Sequence, residues 1–132
     1  MIAKFAVLLG VAVLAAACTS SQGALLDEGN EAFVRGDFSE ALESYNKAEV
    51  DSPDEPEPYY NTGNALIRRQ ENEDAARHLQ QALKTADQEL AADAAFNLGN
   101  AHYELGDFDA AAAAFIESLR LFQCSVSRHL AR

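Results

Sequence analysis

The feature that most constrains how this chain of 132 residues folds is that it repeats itself. The segments EGNEAFVRGDFSEALESYNKA, TGNALIRRQENEDAARHLQQA and LGNAHYELGDFDAAAAAFIES fall into register, each opening on a Gly-Asn pair. Counting from Gly29, Gly63 and Gly99, an alanine stands 12 residues on (Ala41, Ala75, Ala111), a bulky residue 16 on (Tyr45, Leu79, Phe115) and a small one 19 on (Ala48, Ala82, Ser118). The intervals between repeats are 34 and 36 residues. A period of this length marks a stack of two-element units, none of which buries its apolar face without a neighbour. Only 8% of the residues are aromatic and there is no Trp, so the units are helices joined through Ala and Leu rather than strands of a sandwich or barrel.

These stations resemble those of the tetratricopeptide repeat, with a small residue in helix A and Ala-x-x-x-aromatic in helix B. The resemblance covers residues 24–121, with repeats at about 22–55, 56–89 and 92–125. It implies an all-α solenoid of three stacked helix-turn-helix hairpins forming a right-handed superhelix. Glu28 and Thr62 depart from the pattern where an aliphatic residue ordinarily precedes the glycine, Ala32 stands where a larger residue is usual, and only Pro53 represents the expected inter-repeat prolines. Gly29, Gly63 and Gly99, with Ala41, Ala75 and Ala111 opposite, let the two helices of a hairpin cross closely. The bulky residues are expected to fill the space between hairpins.

Helix A is expected over 24–35, 58–69 and 91–105, and helix B over 38–50, 73–86 and 108–121. Gly36 and Gly106 end the first and third A helices in left-handed geometry, and Asp37 and Asp107 cap the helices that follow. In repeat 2, Gln70 replaces the glycine and Asn72 is the expected cap, so this turn carries strain. The acidic connector DSPDEPEP at 51–58 stops the first B helix, and two extra residues near KTADQELA lengthen the second connector. Leu79, Leu83, Phe115 and Leu119 are assigned to the core. The divergent tail 122–132, FQCSVSRHLAR, either caps the stack through Val126 and Leu130 or marks the point where the repeat pattern stops short of a fuller solenoid.

The N-terminus reads as an address. Lys4, an apolar run from Phe5 to Ala17 and three alanines before Cys18 have the layout of a secretory signal peptide over 1–17. At 1.5 Å per residue that run rises about 20 Å, short of a bilayer core. The letters L-A-A-A-C ending at Cys18 resemble a bacterial lipoprotein signal, which implies that Cys18 is lipidated and that 18–23 is a tether. Leu14 lies four residues before the cysteine, with Ala15 in the usual leucine position. Thr19 in place of Asp mildly favours the outer membrane over the inner one. Cys124 would then be the one remaining cysteine, with no internal disulfide.

Charge narrows the partners. The chain carries 10 Lys+Arg against 21 Asp+Glu, a net charge of −11, which becomes −12 when Lys4 leaves with the signal. Such a surface repels phosphate backbones, so nucleic-acid binding is disfavoured. His78, His102 and His129 sit on separate elements with no second ligand at zinc spacing, no cofactor motif is present, and carboxylate pairs such as Glu71 and Asp74 belong to a solvated helix face. Nothing in the sequence argues for catalysis.

One constellation points to binding. Asn61 and Asn64, Asn97 and Asn100, and Asn30 in repeat 1 recur three apart on one face of helix A, which in tetratricopeptide repeats looks into the concave groove. An amide both donates to and accepts from an extended peptide backbone. Such a row suits sequence-tolerant peptide binding, with Tyr60, Ile67, Phe96 and Tyr103 as apolar contacts and Arg68 as the groove cation, matched by Glu104 in repeat 3. The alternative is that these amides only brace one helix against the next. Lysines that would clamp a C-terminal carboxylate are missing.

The strings YYNTGNALIRR and AAFNLGNAHYELGDFDAAAAAF resemble the repeat proteins of bacterial aerotolerance (Bat) operons. That resemblance implies a lipid-anchored adaptor facing the periplasm, with von Willebrand A-domain membrane proteins and a MoxR-type ATPase nearby, acting in envelope stress tolerance. A lipoprotein of outer-membrane assembly or pilus biogenesis is the alternative within the same class. An envelope enzyme subunit is the alternative from another class.

Overall fold

A computed structural model of the protein describes residues 21–131. The expected signal peptide, Cys18 and the start of the tether lie outside the described residues, as does Arg132. The chain forms six helices in order, α1 (Ser21–Arg35), α2 (Phe38–Asp51), α3 (Pro56–Arg68), α4 (Asn72–Leu83), α5 (Gln88–Glu104) and α6 (Phe108–Leu130), with no strand among the described residues. Within each hairpin α1 packs on α2, α3 on α4 and α5 on α6, while α2 meets α3 and α4 meets α5. The expected stack of three hairpins is the observed architecture.

The turns explain why the helices stop where they do. Gly36 and Gly106 adopt φ of +84° and +77°, and the amide that follows each reaches back to Ala32 O or His102 O at 2.9 and 3.0 Å. Gln70 makes the same turn with φ +65°, the one non-glycine residue with positive φ among those described, and Glu71 N bonds Leu66 O at 2.9 Å. The strain expected in repeat 2 is therefore present. The expected cap is not. Glu71 occupies the N-cap of α4 without a side-chain bond to the helix, and Asn72 falls one residue inside, its Oδ1 buried without a partner. Asp37 stands at the N-cap of α2 but its carboxylate accepts from Arg35 Nε at 3.2 Å instead of a helix amide. Asp107 does cap, accepting from Ala110 N at 3.2 Å, and Asp87 closes the long second connector by accepting from Leu90 N at 2.9 Å.

Packing within each hairpin is set by its glycine. A Cβ built on Gly29 would meet Tyr45 at 2.4 Å, one on Gly63 would meet Leu79 at 2.6 Å, and one on Gly99 would meet Phe115 at 2.5 Å. The bulky side chain thus lies over the glycine of its own hairpin, where the sequence pattern had placed it between hairpins. Ala41, Ala75 and Ala111 are buried on the facing helix, so two helices at each crossing present hydrogen or methyl instead of longer side chains. Every residue of the contiguous core lies between Leu26 and Ala114, all within the six helices.

Two expectations about the C-terminus are corrected. No Gly or Pro interrupts Phe108–Leu130, so α6 runs 23 residues and the tail is its continuation, not a separate cap. Ser118 Oγ donates to Ala92 O at 2.8 Å, near the start of α5, so the last two turns of α6 extend past its antiparallel partner. Val126 and Leu130 consequently point to solvent. Leu119, assigned to the core by its station, is 62% exposed because among the described residues no following hairpin covers it.

Candidate peptide-binding face

Helices α1, α3 and α5 stand side by side, and the recurring asparagines form a row across them. Asn61 Nδ2 donates to Asn30 Oδ1 at 3.4 Å, joining α3 to α1. Asn97 Nδ2 donates to Asn64 Oδ1 at 2.7 Å, joining α5 to α3, and lies 3.4 Å from the Tyr60 hydroxyl. Asn100 Nδ2 continues the row to Asn97 Oδ1 at 3.5 Å. Asn30 Oδ1 also accepts from the Tyr45 hydroxyl at 2.8 Å; burial pushes that phenol up to about 12, so it stays a donor. All five asparagines and Tyr60 are therefore brought together by the fold.

The row is not closed on itself. In these bonds Asn64 gives its oxygen and Asn100 its amide nitrogen, which leaves the Asn64 NH₂ and the Asn100 carbonyl with no such bond. Both residues are partly solvent-accessible. A cleft of about 210 Å³ lies at one end of the row, lined by Asn30, Phe33, Tyr45, Asn61 and Asn64. The Asn64 NH₂ and the Asn100 carbonyl, on neighbouring helices, offer a donor and an acceptor to the alternating N–H and C=O of an extended chain.

The remaining sequence-predicted contacts divide into two groups. Ile67 is packed against the core, while Phe96, 52% exposed against the Phe115 ring at 5.5 Å, and Tyr103, in edge contact with Phe108, present open aromatic surface. Arg68 is engaged by aromatic rings: its guanidinium lies 4.9 Å from the Phe38 ring and 5.8 Å from that of Phe33. The face therefore offers amides and aromatic edges, with its one cation stacked at the hairpin-turn end.

A polar cluster escaped the sequence reading. Thr62 is buried and donates to Glu49 Oε1 at 2.6 Å across α3 and α2, while His78 Nε2 on α4 lies 3.7 Å from Glu49 Oε2 and its Nδ1 donates to Asp74 O at 2.9 Å. Burial pushes the Glu49 carboxyl above the ordinary carboxylate range, against the opposing pull of the Thr62 bond and the His78 ring. The signal was present as a departure from the repeat pattern, Thr62 in an aliphatic station; its partner 13 residues earlier was not legible.

Comparison with known proteins places this geometry. A family profile described as "Tetratricopeptide repeat" matches residues 60–123, and one described as "TPR repeat" matches 29–68. No curated protein sequence matches significantly. Among solved structures, the chain is similar to the Sgt2 TPR domain from Aspergillus fumigatus, with TM-score 0.74 and 25% identity over 80% of this chain and 68% of that one. It is similar to the second TPR domain of human RPAP3, solved in complex with the HSP70 peptide SGPTIEEVD, with TM-score 0.72 and 24% identity over 76% of this chain and 82% of that one. It is also similar to MamA, with TM-score 0.71 and 28% identity over 76% of this chain and 57% of that one.

Proposed function

Since the chain is a tetratricopeptide-repeat protein, matched over residues 29–123 and folded as that repeat folds, we propose that it is a lipid-anchored adaptor at a bacterial envelope. It holds an extended or helical segment of a partner protein against α1, α3 and α5. The observation that carries the binding half is the asparagine row, with the Asn64 NH₂ and the Asn100 carbonyl left over after the helices are joined. At 24% identity the likeness to RPAP3 conveys the scaffold and not the ligand. Asn61, Asn64, Asn97, Asn100 and Asn30 offer no carboxylate clamp, so the partner here is gripped by its backbone and by apolar side chains that meet Phe96 and Tyr103.

The anchor half rests on the sequence of residues 1–18, whose apolar run, three alanines and Cys18 support export and lipidation. Several acyl chains at about 0.8 kcal/mol per buried CH₂ make attachment effectively permanent. The stack then faces the periplasm, on the outer membrane by the residue after the cysteine. Von Willebrand A-domain membrane proteins of aerotolerance operons are the proposed partners, and envelope stress tolerance the proposed setting.

The test is a photo-crosslinking residue at Phe96, on the binding face, compared with one at Val50 on the exposed side of α2, in cells carrying wild type or Cys18→Ser. A protein crosslinked from Phe96 and not from Val50, and lost with acyl labelling in Cys18→Ser, is the expected result. Equal capture from both positions, or unchanged labelling and fractionation in Cys18→Ser, would sink the respective half of the reading.

A further inference from the structure

Two hairpin turns in this chain are built alike, and only one of them is filled. Four and nine residues after its glycine, repeat 1 carries Phe33 and Phe38 and repeat 3 carries Tyr103 and Phe108. The rings of the first pair stand 5.3 Å apart at 65°, those of the second 5.5 Å apart at 65°. In both turns the glycine amide bonds the carbonyl of the first ring residue at 3.0 Å.

Over the first pair lies a cation from the following helix. Arg68 of α3 holds its guanidinium 4.9 Å from the Phe38 ring and 5.8 Å from that of Phe33, and both phenylalanines are partly buried. Its neighbour Arg69, steadied by Glu71 at 2.7 Å, donates from Nη1 to Ser39 Oγ, one residue beyond Phe38, at 3.3 Å. Two adjacent arginines at the end of a helix thus seat on one edge of repeat 1. Repeat 2 supplies the contrast: its stations carry Ile67 and Asn72 instead of rings, and the helix that follows brings Glu104 and Leu105 in place of the two arginines.

Repeat 3 has the rings and, among the described residues, no cation over them, which leaves Tyr103 and Phe108 58% and 63% exposed. At the station of Ser39 stands Asp109, exposed and in no ion pair among the described residues, so the acceptor for a second arginine is here a carboxylate. Arg35, which pairs with Asp37 and Glu40 in repeat 1, is replaced by Leu105. This edge therefore carries more uncompensated negative charge than the one that already holds two arginines. Ring faces beside a carboxylate select a cation, and a planar guanidinium above a compact ammonium.

We propose that the turn edge of repeat 3, made by Tyr103, Phe108 and Asp109, binds a partner helix that ends in adjacent arginines, one guanidinium against the two rings and the other on the carboxylate. The last turn of a helix is also where the helix dipole favours arginine. A single ion pair keeps the salt dependence of the contact shallow. The site rests on the adaptor reading for the existence of a partner segment and adds that segment's chemistry.

The probe is an alanine-based helical peptide ending in Arg-Arg, titrated into residues 19–132, which contain the whole packed core, while NMR follows the ring resonances. Saturable shifts are expected at Tyr103 and Phe108, with Phe33 and Phe38 unmoved because Arg68 already covers that pair. A Lys-Lys peptide should bind severalfold more weakly, and one ending in two citrullines, neutral but of arginine's shape, about tenfold more weakly or not at all. Tyr103→Leu/Phe108→Leu and Asp109→Asn should each weaken the Arg-Arg peptide by about three- to fivefold, with unchanged circular dichroism because all three side chains are exposed. No shift at millimolar peptide, equal binding of the citrulline peptide, or affinity indifferent to Tyr103→Leu/Phe108→Leu would each overturn the proposal. So would a dimer in sedimentation that the same double substitution dissolves, which would give the edge to a second copy. The two readings fail separately: capture from Phe96 that survives Tyr103→Leu/Phe108→Leu removes this site and keeps the adaptor, whereas guanidinium-dependent peptide binding without capture from Phe96 keeps this site and removes the groove.

Discussion

Replacing Gly63 with alanine sets two opposing effects against each other, and the structure decides between them. Alanine in a helix interior is favoured over glycine by about 1 kcal/mol. The added Cβ would stand 2.6 Å from Leu79 Cγ and 2.8 Å from its Cδ2. Carbon atoms rest at about 3.5–4.0 Å, so Leu79 must retreat by about 1 Å. Leu79 is fully buried, so a χ1 change that would carry its Cγ aside finds no free space to enter. Overpacking of this kind costs about 1–3 kcal/mol, so Gly63→Ala should be net destabilising by about 1 kcal/mol. In a Leu79→Ala background the clashing atoms are gone and the next neighbour is Ala75 O at 3.4 Å, so the same substitution should stabilise. Urea denaturation followed by circular dichroism measures the cycle, with an osmolyte present because Leu79→Ala alone removes about 2–5 kcal/mol. A sign reversal with a coupling of about 1–3 kcal/mol is expected. An identical effect of Gly63→Ala in both backgrounds would refute the reasoning. Gly99→Ala provides a contrast, since the half-buried Phe115 ring can swing aside, and should lie within about 0.5 kcal/mol of wild type.

Two further outcomes follow from local geometry. Gln70→Gly relieves a left-handed residue that Gly36 and Gly106 avoid, and should raise stability by about 0.5–1 kcal/mol, read as a melting temperature several degrees higher. Glu49→Gln keeps the acceptor for Thr62 and removes a buried charge. Because the folded-state Glu49 carboxyl titrates above its unfolded value, the folded protein binds that proton more tightly. Its stabilising share is full below the ordinary carboxylate range and is lost as pH rises through the raised folded value. The Glu49→Gln variant should therefore gain on wild type as pH rises through this window, in melts recorded at a series of pH values. A constant difference at every pH would exclude the buried-carboxylate account.

What the sequence disclosed follows from what repeats. Gly29, Gly63 and Gly99 with their partners 12 and 16 residues on recur because every hairpin solves the same crossing problem, and recurrence made them readable. Likewise Gly36, Gln70 and Gly106 occupy equivalent turns, so the strained one was visible by comparison with the others. Features that occur once were harder to see. Asp87 caps α5 from the irregular second connector, and the Glu49, Thr62 and His78 cluster joins three helices through a contact that no spacing rule encodes. The length of α6 was not legible because helix B was bounded at 121 by analogy with the other repeats, although nothing in 108–130 breaks a helix. At the binding face, the asparagine row was legible as a periodicity, whereas its internal bonding, Asn97 to Asn64 and Asn61 to Asn30, depends on how closely the A helices stand.

The central claim, that the leftover amide groups of that row grip a partner backbone, is tested most directly on Asn64→Ala/Asn100→Ala. The measurement is its affinity for a peptide from the partner crosslinked at Phe96, taken alongside its melting temperature. Some stability is lost on any account, because Asn64 Oδ1 accepts from Asn97 across α3 and α5. Affinity carries the distinction. Two backbone contacts at about 0.5–1.5 kcal/mol each predict binding weakened by about tenfold to a hundredfold. Since neutral amides release few counterions, that binding should also respond only weakly to salt. Affinity that is unchanged in the folded double variant would show that the asparagines brace the helices and nothing more.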